Sequence, residues 1–359
     1  MLEFHPLTVT SIEKIAEDAV CISLVIPPAL QQVFTFHAGQ YVPLRRTIDG
    51  REERRTYSIV TAPGGALLKL GVRVQANGRM SGELAGSLRA GEALEVGSPT
   101  GRFRTQVDPA RALSYVAFAA GSGITPVLSL VSDILAREPA SRFTLIYGNR
   151  CMSRTMFLEE TLALKNRYLD RFAVHFVMSR EPQQTAVLNG RIDGPKVREL
   201  ARRLDDVATA DEYFVCGPGN MVEEVRAAIK DINGNAPVRS ERFATAGSLA
   251  RPAAGAVATA AAAPELLATV SVTMDGRRRI FPMAPGDASV LDAAERAGLE
   301  LPFSCRSGIC ATCRVRCVAG KVDMMHNIAL AQWELDAGFI LCCQARPTTG
   351  TLELSYDEK

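Results

Sequence analysis

The sequence predicts a multidomain α+β chain made of an antiparallel β-barrel, an α/β domain on a parallel sheet, and a small cysteine-bearing domain. Three observations predict it. Residues 6–105 carry short β-type runs broken by Gly and Pro. From Leu113 onward, apolar strands alternate with helical patterns. Near the end, Cys305, Cys310, Cys313 and Cys343 follow the spacing C-x4-C-x2-C-x29-C.

The 359 residues are 47% hydrophobic and 22% charged, which suits two or three globular domains. A net charge of +2 argues against a nucleic-acid binder. Outside one alanine-rich stretch, no apolar run is long enough to span a membrane. The start, Met1-Leu2-Glu3-Phe4-His5-Pro6, lacks a basic segment followed by an apolar core. With an odd count of nine cysteines, this points to a reducing, cytoplasmic setting in which thiols stay available as ligands. The expected boundaries are a barrel over 1–107, an α/β domain over 108–243, a linker over 244–266 and a cysteine domain over 267–359. Two prolines, two glycines and no polar face make the alanine-rich 244–264 a tether rather than a helix.

In the barrel, the runs 19–26, 56–60, 67–74 and 93–96 read as strands. Arg55-Thr56-Tyr57-Ser58 sets a cation, an aromatic face and a hydroxyl on one strand, where they can meet a phosphate, a flat ring and a polar ring edge. Arg73 leads to Gly78-Arg79-Met80-Ser81, a glycine turn entering a helix expected near 81–85. Amides at such a start, with the serine hydroxyl, suit a pyrophosphate; a plain N-cap is the simpler reading of Ser81 alone.

In the α/β domain, strands are expected over 115–120, 143–147, 173–178 and 213–216. The first runs into Gly121-Ser122-Gly123-Ile124-Thr125-Pro126. Its glycines permit a tight turn and close ligand approach, and Pro126 suits a first helical turn. The last runs into Cys216-Gly217-Pro218-Gly219-Asn220-Met221. Glycine turns at the carboxyl ends of parallel strands are where such sheets bind nucleotides. Ser179-Arg180 supplies the hydroxyl and cation that a ribose 2′-phosphate requires, and Arg191 can add a second cation; Glu181 beside them suits a bare 2′-hydroxyl instead.

The cysteine spacing is the plant-type [2Fe–2S] pattern, three thiolates on one loop and a distant fourth. Structural zinc takes paired C-x2-C knuckles or adds histidine, and this chain has four histidines in all. Gly308 suits a loop whose amides turn inward toward sulfur, and Cys317 reads as a small buried hydrophobe.

Taken in order, R-x-Y-S, G-x-x-S, G-x-G-x-T-P and C-G-P-x-x-M resemble the ferredoxin–NADP reductase superfamily. The C-terminal part resembles a plant-type ferredoxin, its motif fitting best with Cys343 rather than Cys342 as ligand. This domain order is similar to that of the reductase components of bacterial oxygenases. Tyr147-Gly148-Asn149-Arg150, residues 188–194 and Glu241-Arg242-Phe243 most resemble the reductases that serve phenylacetyl-CoA ring epoxidases. The resemblance implies a flavin-binding barrel, a nucleotide-binding domain and a β-grasp ferredoxin domain. It implies that Arg55, Tyr57 and Ser58 hold the flavin, and that Arg73, Gly78, Met80 and Ser81 hold its phosphates, as FAD before FMN. Gly121, Gly123, Thr125 and Pro126 would receive the nicotinamide nucleotide, together with Gly217, Pro218 and Met221. Cys216 would lie near the nicotinamide, Glu241 near the flavin–nicotinamide contact, and Phe243 at the flavin ring.

The expected function follows from electron counting. NADPH, expected before NADH, gives two electrons as a hydride, a [2Fe–2S] centre takes one, and a flavin must stand between them. Ser58, Cys216 and Glu241 would shape the hydride contact. The implied acceptor is an oxygenase, di-iron in type, within a phenylacetate-degrading complex. A reductase for a Rieske-type or ketosteroid hydroxylase is the alternative, and a non-catalytic iron–sulfur redox sensor is a rival of another class.

Overall fold

The computed structural model describes residues 3–243, 267–330 and 332–358, so the expected linker over 244–266 lies outside the described residues. The first part is built from β1 (Phe4–Ala16), β2 (Ala19–Val25), β3 (Tyr41–Ile48), β4 (Arg51–Ser58), β5 (Leu67–Arg73) and β6 (Ala93–Gly97). They pair antiparallel in the order β4-β3-β6-β1-β2-β5. A bridge between Ile59 and Leu70, and the Val60 N–H donating to the Lys69 carbonyl at 2.9 Å, close the sheet on itself. Alternation drives the closure: Leu68, Leu70 and Val72 point inward to meet Leu7, Ile22, Leu24 and Val42, all shielded from water. Asp49 and Gly50, both at positive φ, make the tight turn that joins β3 to β4.

Helix α1 (Arg79–Gly86) sends Met80 and Leu84 into the barrel core. It starts two residues before the expected position, with Gly78 as its N-cap, so Ser81 sits inside the helix rather than capping it.

The second part alternates β7 (Ser114–Ala120), α2 (Ile124–Arg137), β8 (Arg142–Asn149), α3 (Leu158–Arg167), β9 (Phe172–Met178), α4 (Gly194–Ala201), α5 (Asp205–Thr209), β10 (Glu212–Pro218), α6 (Gly219–Ile232) and β11 (Val238–Phe243). All five strands are parallel, in the order β11-β10-β7-β8-β9. The order reverses between β7 and β10, and that crevice is where open α/β sheets bind ligands. β11 was not among the expected strands because its residues are half-buried or exposed and mostly polar, as befits an edge.

Two buried polar knots fix α2. Glu138, fully enclosed beyond its last turn, accepts from the Asp108 N–H, the Tyr115 hydroxyl and the Ser141 hydroxyl. Arg171 donates to the Leu135, Glu138 and Ser141 carbonyls at 2.9–3.1 Å, so it satisfies the acceptors that a helix end leaves open. Barrel and α/β domain form one compact unit with a shared core in which Cys21, Ala38 and Val60 meet Ile124, Val127 and Phe157. A Cβ on Gly71 would stand 2.6 Å from both Phe157 Cε2 and Thr125 Cγ2, so that seam is tight.

The C-terminal part is a separate unit. It comprises β12 (Ala268–Met274), β13 (Arg277–Met283), α7 (Val290–Arg296), β14 (Arg314–Ala319), β15 (Val322–Met324), α8 (Gln332–Asp336), β16 (Phe339–Leu341), β17 (Ala345–Pro347) and β18 (Thr351–Ser355). The mixed sheet runs β13-β12-β18-β14-β16, with β12 and β18 parallel, while β15 and β17 pair apart. Val290, Leu291 and Ala294 of α7 pack into its core, which makes it a β-grasp. Ser289 caps α7, accepting from the Asp292 N–H.

Candidate functional site

The two glycine turns meet where the sheet order reverses. β7 and β10 are neighbours, so the Gly121–Gly123 turn after one lies against Cys216-Gly217 at the end of the other. A Cβ on Gly123 would fall 2.2 Å from the Cys216 carbonyl oxygen, which no side chain tolerates. Gly121 takes φ +56°, a conformation that favours glycine. Thr125 donates to the Ser122 carbonyl at 2.9 Å, and Pro126 lies in the first turn of α2. A Cβ on Gly217 would meet Met221 Sδ at 2.9 Å, which explains the C-G-P-x-x-M pairing, and Pro218 stands at the N-cap of α6.

β11 sets Glu241 directly beside Cys216 in the parallel ladder, with Phe243 beside Pro218. Cys216 is fully buried, and burial reinforced by Glu241 pushes its thiol well up, so it stays a neutral S–H. Glu241 as a whole is half-buried, but its Oε2 is enclosed and has no partner, and burial raises the carboxyl to about 8. A protonatable carboxyl and a neutral thiol therefore stand together at the sheet's carboxyl edge.

On the barrel, Arg55, Tyr57 and Ser58 end β4. Arg55 pairs with Glu53 at 3.1 Å, Tyr57 is raised above its ordinary range by burial, and Ser58 is buried. The cradle at α1 is shaped by Gly78. A Cβ there would strike Ser81 Oγ at 2.5 Å and Gln75 Cβ at 2.8 Å, while the Ser81 hydroxyl accepts from the Gln75 N–H. An open groove of about 410 Å³ runs past it between Asn77, Gly78, Arg79 and the β3–β4 turn at Ile48 and Asp49. Met80 offers this cradle only its backbone, since its side chain fills the barrel core. Arg73 is placed at the seam, where it pairs with Asp18 and donates to the Arg154 carbonyl at 2.8 Å.

At the far edge of the sheet, the Ser179 and Arg180 amides donate to the Asn149 and Arg150 carbonyls, at and just past the end of β8. Arg180 and Arg191 are exposed and make no ion pair among the described residues. Glu181 is turned away, because its Oε2 accepts from the Met152 N–H at 2.8 Å.

The four motif cysteines form two thiol pairs rather than one tetrahedral knot. Cys310 donates to Cys305, which drops to about 6, and Cys313 donates to Cys343, which is likewise lowered; the donated hydrogen bond first and burial second hold Cys310 and Cys313 up. Among the described residues, no group of three or more His, Cys, Asp or Glu converges where one ion could sit. Two pairs are what two bridged irons need, so the donor set fits [2Fe–2S]. The loop is turned inward by positive φ at Arg306, Gly308 and Ala311, and the Ser307 and Cys310 amides both lie 3.4 Å from Cys305 Sγ. Gly308 packs so closely on the His326 carbonyl that its Cβ would fall 2.6 Å away. Cys342 faces the other way, fully buried, raised to about 12 by burial, with the Tyr356 hydroxyl 3.4 Å from its sulfur. Cys317 is half-buried, not fully enclosed as expected.

Sequence reasoning missed Asp18 and Arg154. Each is a single polar residue far in the chain from its partner and carries no motif.

Comparison with known proteins identifies three domain families along the chain. Family models match residues 6–105 as an oxidoreductase FAD-binding domain, 118–227 as an oxidoreductase NAD-binding domain and 272–348 as a 2Fe-2S iron-sulfur cluster binding domain. One component of the 1,2-phenylacetyl-CoA epoxidase of Escherichia coli K12 is 37% identical over 100% of this chain and 99% of its own. The ferredoxin reductase component of a Mycobacterium tuberculosis 3-ketosteroid-9-alpha-monooxygenase is 32% identical over 93% and 88%. Among solved structures, phthalate dioxygenase reductase shares the fold, with TM-score 0.59 at 23% identity over 98% of each chain.

Two outcomes follow. Cys343→Ser should abolish iron loading, whereas Cys342→Ser should retain it, as read by iron and labile-sulfide content. Glu241 keeps its proton to about pH 8 in the folded chain but loses it near 4.5 when unfolded, so stability should fall as pH rises between those values. Melting curves across that window should show a flatter slope for Glu241→Gln.

Proposed function

This chain belongs to the family of oxygenase reductase components that join FAD-binding, NAD-binding and 2Fe-2S domains in one polypeptide, and on that premise we propose that it draws on NADPH to supply single electrons to a di-iron oxygenase acting on a phenylacetyl-CoA-type substrate. The single observation that carries the relay is the coexistence of the two-glycine crevice with the paired thiols in one chain. FAD can take up a hydride's two electrons and release them singly, which a one-electron [2Fe–2S] centre requires.

The residues divide the work. Arg55, Tyr57 and Ser58 hold and orient the flavin, and Gly78 and Ser81 bare the amides for its phosphates. The groove beside α1 has room for an adenosine half, which supports FAD over FMN. Gly121, Gly123 and Gly217 let the nicotinamide nucleotide reach the main chain. Arg73 is assigned to that nucleotide rather than to the flavin phosphates, because its guanidinium is held at the seam beside Gly121. Ser58, Cys216 and Glu241 shape the hydride contact, Cys216 as a neutral wall and Glu241 as the one group there able to hold or yield a proton near neutral pH.

NADPH over NADH is supported by Arg180 and Arg191, exposed and without an ion pair among the described residues, and by Glu181, whose carboxylate is anchored through one oxygen on the Met152 N–H. The phenylacetyl-CoA epoxidase partner is supported by the near full-length likeness to a component of that complex. A ketosteroid monooxygenase remains the second reading on its own full-length relatives.

The relay is tested with Cys310→Ala. NADPH should still bleach the flavin absorbance, while reduction of cytochrome c should fall to near background; loss of flavin reduction itself would refute this order of steps. For nucleotide choice, Arg180→Ala should raise KM about tenfold for NADPH and leave NADH unchanged, as charge-assisted contacts of this kind are worth roughly a decade in affinity. Equal kcat/KM for the two nucleotides in the unaltered protein would overturn the NADPH assignment.

A further inference from the structure

The seam between barrel and α/β domain holds two guanidinium groups around one carboxylate. Asp18, in the turn between β1 and β2, receives Arg73 Nη1 at 2.7 and 2.9 Å on its two oxygens, and it also receives Arg154 from the turn after β8. Arg73 donates in addition to the Arg154 carbonyl, which locks the two side chains to each other's neighbourhood. The adjacent Glu17 is exposed and committed to the Ser153 hydroxyl, and the Glu17 amide donates to the Ser153 carbonyl, so the hairpin turn is pinned to this one segment.

Two donors here have no acceptor. Arg73 Nε and Arg154 Nε are enclosed and unpartnered, while the Asn149 amide is engaged by the Tyr147 hydroxyl. Buried donors are normally satisfied, so an orphan Nε on each of the two guanidiniums that share Asp18 marks a place where the protein leaves acceptors to a ligand. Their surroundings say which ligand. Arg73 Nε lies 4.0 Å from where a Cβ on Gly121 would stand, and the Tyr147 hydroxyl, two residues before Asn149, donates to the Gly121 carbonyl at 3.0 Å. Arg73 therefore stands beside the turn at the carboxyl end of β7, where an anion of the dinucleotide would lie, and Arg154 is tied to Arg73 through Asp18 and its own carbonyl.

We infer that Arg154, together with Arg73, grips the pyrophosphate of the nicotinamide nucleotide across the seam, and that Asp18 is a positioning residue that holds both guanidinium forks in place. The inference rests on the reading of the Gly121 turn as the nucleotide site. Because Arg73 belongs to the barrel and Arg154 to the α/β domain, the bound nucleotide ties the two domains together. The surplus positive charge also favours the dinucleotide in both its forms, phosphorylated or not, which separates this contact from the choice between NADPH and NADH.

The test uses the full-length, flavin- and iron-loaded protein with ferricyanide as acceptor, and two inhibitors: ADP-ribose, which has a pyrophosphate, and 2′-AMP, which has none. Arg154→Gln should raise KM for NADPH and NADH alike, and the Ki of ADP-ribose, by about ten- to hundredfold, the range of a lost charge-assisted contact. The change in kcat should stay within about twofold, and the Ki of 2′-AMP should not move. Asp18→Asn should shift the same constants in the same direction by less. Should Arg154→Gln not fold, Arg154→Lys keeps the charge and loses the fork, and a weaker ADP-ribose with unchanged 2′-AMP supports the inference. An unchanged Ki for ADP-ribose, or equal shifts for both inhibitors, overturns it. A wild-type chain that binds neither ADP-ribose nor NAD(P)H would instead remove the nucleotide reading and this inference with it. One that binds ADP-ribose but not 2′-AMP would overturn only the NADPH preference, leaving NADH and ADP-ribose to decide the pyrophosphate contact.

Discussion

The rest of the reductase depends on how closely two backbones approach each other. Where β7 and β10 end side by side, Gly123 rests against the Cys216 carbonyl with no room for a methyl group. That contact fixes the direction of α2, seats Gly121 in its left-handed turn and brings Glu241 on β11 alongside Cys216. The sheet order reverses at the same place, so helices leave to opposite faces and a crevice opens without any cavity being carved by side chains.

Some polar atoms at this crevice are left short of partners, as are His5 Nε2, Ser304 Oγ and Gln344 Oε1 elsewhere among the described residues, whereas the groups that anchor α2 are bonded several times over. Glu138 and Arg171, far from the turn, satisfy every neighbour they meet. Glu241 Oε2 and Arg73 Nε, close to it, satisfy none with those atoms. A folded chain tolerates such deficits where a ligand removes them and rarely elsewhere. The ferredoxin part follows the same logic in another form, with loop amides spent on Cys305 and the partner thiols left to each other.

What could be read in the sequence was whatever depends on local spacing. The cysteines, the glycine turns and the R-x-Y-S strand owe their meaning to neighbours a few residues away, and the barrel, parallel sheet and β-grasp followed from them. What could not be read depends on distance along the chain. Arg154 reaches Asp18 across 136 positions. Glu181 looked like a rival to Arg180 until its carboxylate was found on Met152. Met80, inside the G-x-x-S segment, turned out to serve the barrel core, since period and propensity cannot tell which side of a short helix faces inward. The edge strand β11 escaped notice because half-exposed polar residues give no apolar signal.

The triple clasp that Arg171 places on the end of α2 has a consequence for how this reductase can vary. The helix is 14 residues long, about 21 Å of nearly rigid rod, with the glycine turn at one end and the guanidinium at the other. A small tilt at the clasped end becomes a displacement at the glycine-turn end, as with any lever. Lesions that impair the enzyme can therefore arise on its far side, in residues that touch no cofactor, and drift at that remote anchor should be held in check as firmly as drift in the crevice.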